Sequence, residues 1–352
     1  MSATEFTQLN LLELPDLPYQ HPDVPLQTTI TVNAIELFAG AGGLALGLEK
    51  AGLHTQALVE IDKDAVATLQ YNRPHWKVIH DDVSRVCFQD MSADVVTGGF
   101  PCQAFSYAGK KLGLEDTRGT LFYEFARCVK EVQPKLFLAE NVRGLISHRK
   151  GETLQAIISV LESLGYQVQY RLLNAVNYDV PQKRERVIII GTRPGITFRY
   201  PQPSDKILTL RHALKDVPPS EGMKYSPKKA AVLALVPPGG CWRHLPEDIQ
   251  KSYMMKNYYL GGGKTGIARR IAWDEPSLTL TTSPSQKQTE RCHPDETRPF
   301  TVREYARIQT FPDDWQFMGG IGSQYKQIGN AVPVNLAYHL GRAILHALSH
   351  ES

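Results

Sequence analysis

Short apolar runs alternate with amphipathic stretches between Ala34 and Gly191. Ala34–Phe38, Gln56–Glu60, Asp94–Gly98, Leu136–Glu140 and Val187–Gly191 are too short for helices and suit buried strands. A further short strand precedes Asp81. Leu44–Ala51, Asp64–Tyr71, Leu121–Val132 and Leu154–Leu164 carry helical spacing between them. Alternation of this length predicts an α/β fold with a doubly wound, mostly parallel sheet. After Arg193 the texture changes. Pro194, Pro201, Pro203, Pro218, Pro219, Pro237 and Pro238 break any long period, which predicts a second, smaller and irregular module of loops and short strands. Helical spacing returns at Val302–Gln309 and at Val334–Leu348, the latter following Pro333. At the other end, Pro15, Pro18, Pro22 and Pro25 punctuate an arm without periodicity. The expected division is an irregular arm over 1–32, an α/β domain over 33–195 plus 325–352, and the smaller unit over 196–324.

Composition narrows the picture without deciding it. The 352 residues are 42% hydrophobic and 21% charged, as in an ordinary globular protein. No window approaches the apolar length of a membrane span, and no basic-then-apolar leader opens the chain. Five cysteines show neither metal-ligand spacing nor a pairing pattern, so reduced thiols, a cytoplasmic location and no metal are expected. The net charge of +3 is unevenly spread. Residues 196–297 hold 15 Lys and Arg against 10 Asp and Glu, so the rest of the chain sums to −2. A polyanion-binding module has this asymmetry, and so does a solvated surface with a few extra lysines.

Three places carry chemistry. In Ile35-Glu-Leu-Phe-Ala-Gly-Ala-Gly-Gly-Leu44 a strand runs through glycines into a helix, with Gly40, Gly42 and Ala45 in a loose dinucleotide fingerprint. Glu60 ends the next strand, where a carboxylate accepts hydrogen bonds from ribose hydroxyls. A nicotinamide cofactor and S-adenosylmethionine both satisfy this pattern, since both present an adenosine. Asp82, after the third strand, is within reach of an adenine amino group. The second place is Pro101-Cys102-Gln103, after the strand and glycine turn Ala93–Phe100. It puts a thiol at the carboxyl edge of the sheet, where α/β proteins bind ligands, although a lone Cys is more often a buried hydrophobe. The third pairs Glu140, closing a strand at the same edge, with Arg184 and Arg186, which alternate at the start of another. Arginine forks there suit a carbonyl, a phosphate or a buried carboxylate.

Phe38-Ala-Gly-Ala-Gly-Gly43, Gly99-Phe-Pro-Cys-Gln-Ala-Phe-Ser106, Arg118-Gly-Thr-Leu-Phe122, Glu140-Asn-Val142, Gln182-Lys-Arg-Glu-Arg-Val187, Thr301–Pro312 and Gly329-Asn-Ala-Val-Pro333 follow one another in order. This set resembles the ordered motifs of the DNA (cytosine-5) methyltransferases, from about residue 34 to the C-terminus apart from the variable middle. The resemblance implies a Rossmann-like methyltransferase fold, S-adenosylmethionine as methyl donor and a cytosine flipped out of double-stranded DNA. It implies that Cys102 attacks the base, that Glu140 binds its ring edge, and that Arg186 contacts its carbonyl with Arg184 in support. Phe38, Ala41, Gly43 and Glu60 would line the cofactor. Ile61, Asp82 and Val83 would surround adenine, and Gly99, Pro101, Leu121, Asn330 and Val332 the methionine portion. Position 61 is often aromatic in the family, so Ile61 implies apolar packing in place of stacking.

Residues 196–324 occupy the place of the family's target-recognition domain and hinge. Gln103, Ser106, Lys264, Arg269 and Arg270 are the expected DNA contacts, with Thr279, Thr281, Ser283, Gln286 and Gln288 as groove readers. Gly261-Gly-Gly-Lys-Thr-Gly266 is not a phosphate loop, because Tyr258 stands where the first glycine belongs. The compact chain is expected to act as a monomer and to protect host DNA from a partner restriction endonuclease, without a stable complex. One branch of the family methylates transfer RNA; the long basic middle favours duplex DNA. A non-catalytic DNA-binding protein leaves Cys102, Glu140 and Arg186 without purpose. An oxidoreductase uses only the glycine turn and Glu60.

Overall fold

A computed structural model describes residues 30–101, 120–260, 265–286 and 288–349. Its centre is a seven-stranded sheet. In chain order the strands are β1 (Asn33–Leu37), β2 (His54–Glu60), β3 (Val78–His80), β4 (Val95–Gly98), β5 (Leu136–Val142), β6 (Gln167–Asn174) and β8 (Glu185–Thr192), laid out β3-β2-β1-β4-β5-β8-β6. β8 runs antiparallel to both neighbours, and the other pairings are parallel. The order reverses between β1 and β4, which opens a crevice over their carboxyl ends. All six strands expected from the pattern are present, the short one before Asp81 being β3. β6 was not expected, because it is an outer strand whose Gln167, Gln169 and Tyr170 face solvent and leave no apolar run to detect.

Side-chain alternation along the strands divides the core into two faces. Ile35, Leu37, Val96, Phe137 and Ile189 pack with Phe122, Phe125 and Val129 of the helix Leu121–Val132 and Ile157 and Leu161 of the helix Glu152–Ser163. Burying each such side chain contributes about 1.5–3 kcal/mol. Ala34, Val95, Leu138 and Ile190 face the other way, onto Leu44 and Leu48 of the helix Gly43–Ala51 and Leu336 and Leu340 of the helix Val334–Ser349. Those two helices touch closely at Gly47, where any Cβ would sit 2.4 Å from that of Ala337. The C-terminal helix is thus built into the sheet domain.

The remaining chain forms two further clusters. Phe300, Tyr305, Phe311, Trp315 and Tyr325 join Ala39, Leu58 and Trp76 beside the sheet. Tyr225, Leu233, Trp242, Met254, Ile267 and Cys292 form a separate small core. This part differs from the expected loops and short strands. It contains the helices Pro227–Leu233 and Glu247–Met254, of seven and eight residues, too short for an apolar period to register. A two-residue strand β9 (Ser277–Leu278) pairs with β7 (Gln182–Lys183), tying the segment to the sheet domain. A helix over Ile321–Asn330 was also not expected, since its buried Tyr325, Gln327 and Ile328 are mixed with glycines and polar residues. No helix among the described residues is long and apolar enough to cross a membrane.

Candidate active site

The carboxyl edge of the sheet opens into a cavity of about 1200 Å³. One part is built from β1, β2 and the turns that follow them. Phe38 lines it from a left-handed backbone conformation, φ 58°, which an aromatic residue adopts at a cost of about 1–2 kcal/mol. Glu60 anchors this turn. Its Oε2 accepts the Gly40 N–H at 2.7 Å, and its Oε1 accepts those of Ile61 and Asp62 at 2.9 and 2.7 Å. The carboxylate therefore fixes the glycine turn to the end of β2, and its further lone pairs remain for a ligand. Gly43, Ile61, Asp82, Val83, Gly99, Pro101, Leu121, Asn330 and Val332 line the same cavity.

Ala41 is a correction. Only 1% exposed, it packs into the core with Leu58 and Trp76 and is not on the cavity wall. Asp82 lines the cavity, but one of its oxygens caps the turn by accepting the Ser84 N–H at 2.9 Å and the Ser84 hydroxyl at 2.8 Å. Those two bonds hold its pKa below the usual carboxylate value.

The same cavity is walled by Glu140, Asn141, Arg184 and Arg186. Glu140 Oε1 lies 2.6 Å from Arg186 Nε, both side chains being nearly buried. Glu140 Oε2 uses space that Gly99 leaves open; a Cβ at position 99 would lie 2.9 Å from it and push the carboxylate aside. The neighbouring Asn141 donates through Nδ2 to the Phe100 carbonyl at 2.9 Å. It thereby bolts the end of β5 to the turn leading into position 102. Cys102, Gln103 and Ser106 lie outside the described residues, as does Lys264; Pro101, next to Cys102 in sequence, is on the cavity wall.

Arg184 is a brace. Fully buried, it donates to the carbonyls of Leu280 at 3.0 Å, Gly329 at 2.8 Å and Ala331 at 3.1 Å. Its Nε has no partner among the described residues. Burial, then the charge of Arg186, pushes its pKa well down, with Glu140 opposing. It joins β8 to the segment after β9 and to the Gly329–Ala331 turn. Thr279, Leu280, Thr281, Thr282 and Gln286 consequently face the cavity, although Thr279 and Thr281 also spend their hydroxyls on the Lys183 and Ser283 carbonyls.

Arg270 and Arg269 are corrections as DNA contacts. The Arg270 guanidinium is buried and donates to the carbonyls of Val236, Leu233, His293, Pro294 and Glu296 and to the Thr297 hydroxyl. Arg269 is turned inward onto the Gly239 carbonyl and the Glu275 carboxylate. Both arginines fold the small module. Arg270→Ala should cost about 3 kcal/mol or more in denaturant unfolding. Unchanged stability with a shallower salt dependence of DNA binding would restore the contact role.

Two positions on the cavity wall were given no role by the sequence. One is Asn141, quoted in a motif without a task. The other is Glu36, buried on the cavity wall with its Oε2 unpartnered; an acid inside the apolar run of β1 was the available signal. The part of the wall around β1 and β2 carries Glu60, Asp62, Asp81 and Asp82 against Lys326, whereas Glu140, Arg184 and Arg186 line the other part; the acidic part suits a cationic ligand and disfavours a dinucleotide pyrophosphate.

Fold and site together define a Rossmann-like methyltransferase. Residues 32–346 match the family described as C-5 cytosine-specific DNA methylase, and the chain belongs to that family. It is a DNA cytosine-5 methyltransferase of the type II kind. It is 60% identical over 343 residues to the type II methyltransferase M.Eco47II of Escherichia coli, covering 94% of this chain and 82% of that one. It is 58% identical over 328 residues to M.Sau96I of Staphylococcus aureus, covering 90% and 76%. Among solved structures, a prophage-encoded Escherichia coli protein shares the fold with a TM-score of 0.67 at 24% identity, covering 91% of this chain and all of that one. The S. pombe Dnmt2 methyltransferase does so with a TM-score of 0.63 at 16% identity, covering 91% and 99%.

Proposed function

We propose that this enzyme uses S-adenosylmethionine to methylate carbon 5 of a cytosine flipped out of a specific double-stranded DNA sequence, through a covalent bond to Cys102. The observation carrying this is the continuity of one cavity. Its wall includes the glycine turn with Glu60, the Glu140–Arg186 pair, and Pro101, which precedes Cys102 in sequence. Bound there, the cofactor would supply an electrophilic methyl group. Phe38, Glu60, Ile61, Asp82, Val83, Gly99, Leu121, Asn330 and Val332 would hold it.

Carbon 5 of cytosine is a weak nucleophile. Addition of the Cys102 thiolate to carbon 6 would place electron density on carbon 5. Glu140 would hold ring nitrogen 3 and the exocyclic amine, offsetting charge as it develops, and Arg186 would hold the carbonyl oxygen. Arg184 would keep these walls in place from behind. Once carbon 5 has taken up the methyl group, loss of its proton to water would restore the ring double bond and let the Cys102 thiolate leave. A stacked base hides carbon 6 from attack, so flipping is required.

Residues 196–324 would select the sequence, and 33–195 with 325–352 would perform the chemistry. The relatives' type II names support a protective pairing with a restriction endonuclease, in which this chain acts as a monomer. Methyl transfer from labelled S-adenosylmethionine to mixed genomic DNA and RNA, followed by nucleoside analysis, tests the substrate. Label is expected in 5-methylcytosine of duplex DNA. Label confined to RNA would overturn the assignment.

A further inference from the structure

Glu290 is completely buried in the small module, and the methylation chemistry gives it no part. Three donors meet its two oxygens. Oε1 accepts the Tyr253 hydroxyl at 2.7 Å and lies 3.0 Å from Lys229 Nζ, and Oε2 accepts the Ala268 N–H at 2.5 Å. Lys229 donates onward to the Ser285 carbonyl at 2.6 Å. The cluster therefore joins the helices Pro227–Leu233 and Glu247–Met254 to the turn at Gly266–Ala268 and to the chain around Ser285.

The last two pieces meet each other and the cavity. A Cβ on Gly266 would lie 3.2 Å from the Gln288 carbonyl oxygen. Arg291 donates through Nη1 to the Gly266 carbonyl at 3.4 Å and through Nη2 to the Thr279 carbonyl at 3.1 Å. Thr289 Oγ1 lies 3.1 Å from Thr281 Oγ1 and 3.4 Å from Gln286 Oε1, and Thr279, Thr281 and Gln286 are on the cavity wall. Contacts are thus continuous from the buried carboxylate to that wall.

A buried ion pair is a poor source of stability. The cost of desolvating a carboxylate and an ammonium roughly offsets their attraction, and an apolar pair of the same volume would hold the module at least as well. What apolar packing lacks is direction. We propose that Lys229, Glu290 and Tyr253 are positioning residues for sequence selection: they fix Gln286 and the Gly266 turn in register with each other, and so set how strongly DNA sites with a single wrong base pair are rejected. This rests on the methylation of a specific DNA sequence proposed above. A contact that only the correct base pair makes weakens as its loop shifts, whereas a site already lacking that contact has less to lose. The ratio of rates at the two sites should therefore fall.

Glu290→Gln strands the largely buried Lys229 without its counter-ion and should lose both stability and selectivity. Adding Lys229→Met removes the stranded charge. Stability should return, since no ion is left to desolvate, but selectivity should not, since the directed bonds from Lys229 to Glu290 and Ser285 are gone.

The test incubates unmethylated genomic DNA with S-adenosylmethionine and each full-length variant, and counts 5-methylcytosine by bisulfite sequencing. The sites that wild type methylates fastest define the target. The rate there, divided by that at sites with one altered base pair, does not depend on how much of the protein is folded. This ratio should fall about fivefold or more in the Glu290→Gln/Lys229→Met double variant, with its melting temperature and S-adenosylmethionine affinity near wild type. Tyr253→Phe, which removes one hydrogen bond and no charge, should lower the ratio about threefold. A wild-type ratio in both variants, even with less total methylation, would overturn the inference and leave a structural role only. Absence of 5-methylcytosine with wild type would overturn the proposed function together with it.

Discussion

Glu140→Gln should lower kcat by about 10²–10³, roughly 3–4 kcal/mol of transition-state stabilisation, with cofactor affinity unchanged. The substitution keeps the side chain's shape, so it still fits the space that Gly99 leaves open. It removes the negative charge that lies 2.6 Å from Arg186 Nε. Its amide oxygen can still accept from the base's exocyclic amine, but the side chain can neither carry a charge nor hold a proton to match the charge developing at ring nitrogen 3. Single-turnover rates with saturating DNA separate this loss from weaker binding. A fall of less than threefold would mean that Glu140 positions Arg186 and nothing more.

Arg184→Met should be the most damaging change away from the reacting atoms. It deletes three charge-assisted hydrogen bonds and leaves the carbonyls of Leu280, Gly329 and Ala331 buried without that donor. A loss of about 3–5 kcal/mol in denaturant unfolding is expected. The damage should spread, because the brace joins β8 to the segment carrying Thr279–Thr282 and to the turn at Asn330. Gln182 and Gln309 stitch the same junction, with Gln182 Nε2 donating to Gln309 Oε1 at 2.8 Å and Gln309 Nε2 to the Ile328 carbonyl at 2.7 Å. Arg184→Lys should recover only part of the loss, since one ammonium cannot reproduce the guanidinium fork. A melting curve unmoved by Arg184→Met would show that these bonds are replaceable.

Which parts were legible from sequence has a physical basis. Strands buried on both faces, such as Val95–Gly98 and Leu136–Ala139, must be apolar throughout and so announce themselves. β6 has one exposed edge and a largely polar surface, and the helix Ile321–Asn330 buries Tyr325, Gln327, Ile328 and Gly329, a mixture of apolar, polar and glycine positions. Neither leaves a periodic trace. Charge was the least reliable guide. The basic excess of residues 196–297 includes Arg269, Arg270, Arg291 and Lys229, all engaged with the module's own carbonyls and carboxylates. A charge count does not distinguish a phosphate-binding arginine from one that holds loops together. Glycines and acids at strand ends were better guides, because a ligand's approach constrains both. Glu60, Gly99 and Glu140 met at one cavity as expected, while Ala41, credited from its place in a motif, is a core residue.

The central claim is a covalent bond between Cys102 and cytosine. Its most direct measurement is the intact mass of the protein after incubation with S-adenosylmethionine and duplex fragments carrying 5-fluorocytosine in place of cytosine. Fluorine cannot leave carbon 5 as the proton does, so the adduct should persist. The account predicts a cofactor-dependent adduct whose mass includes the DNA strand and one added methyl group, absent from Cys102→Ser. Absence of any adduct with an active wild-type enzyme, or an adduct that survives Cys102→Ser, would contradict it.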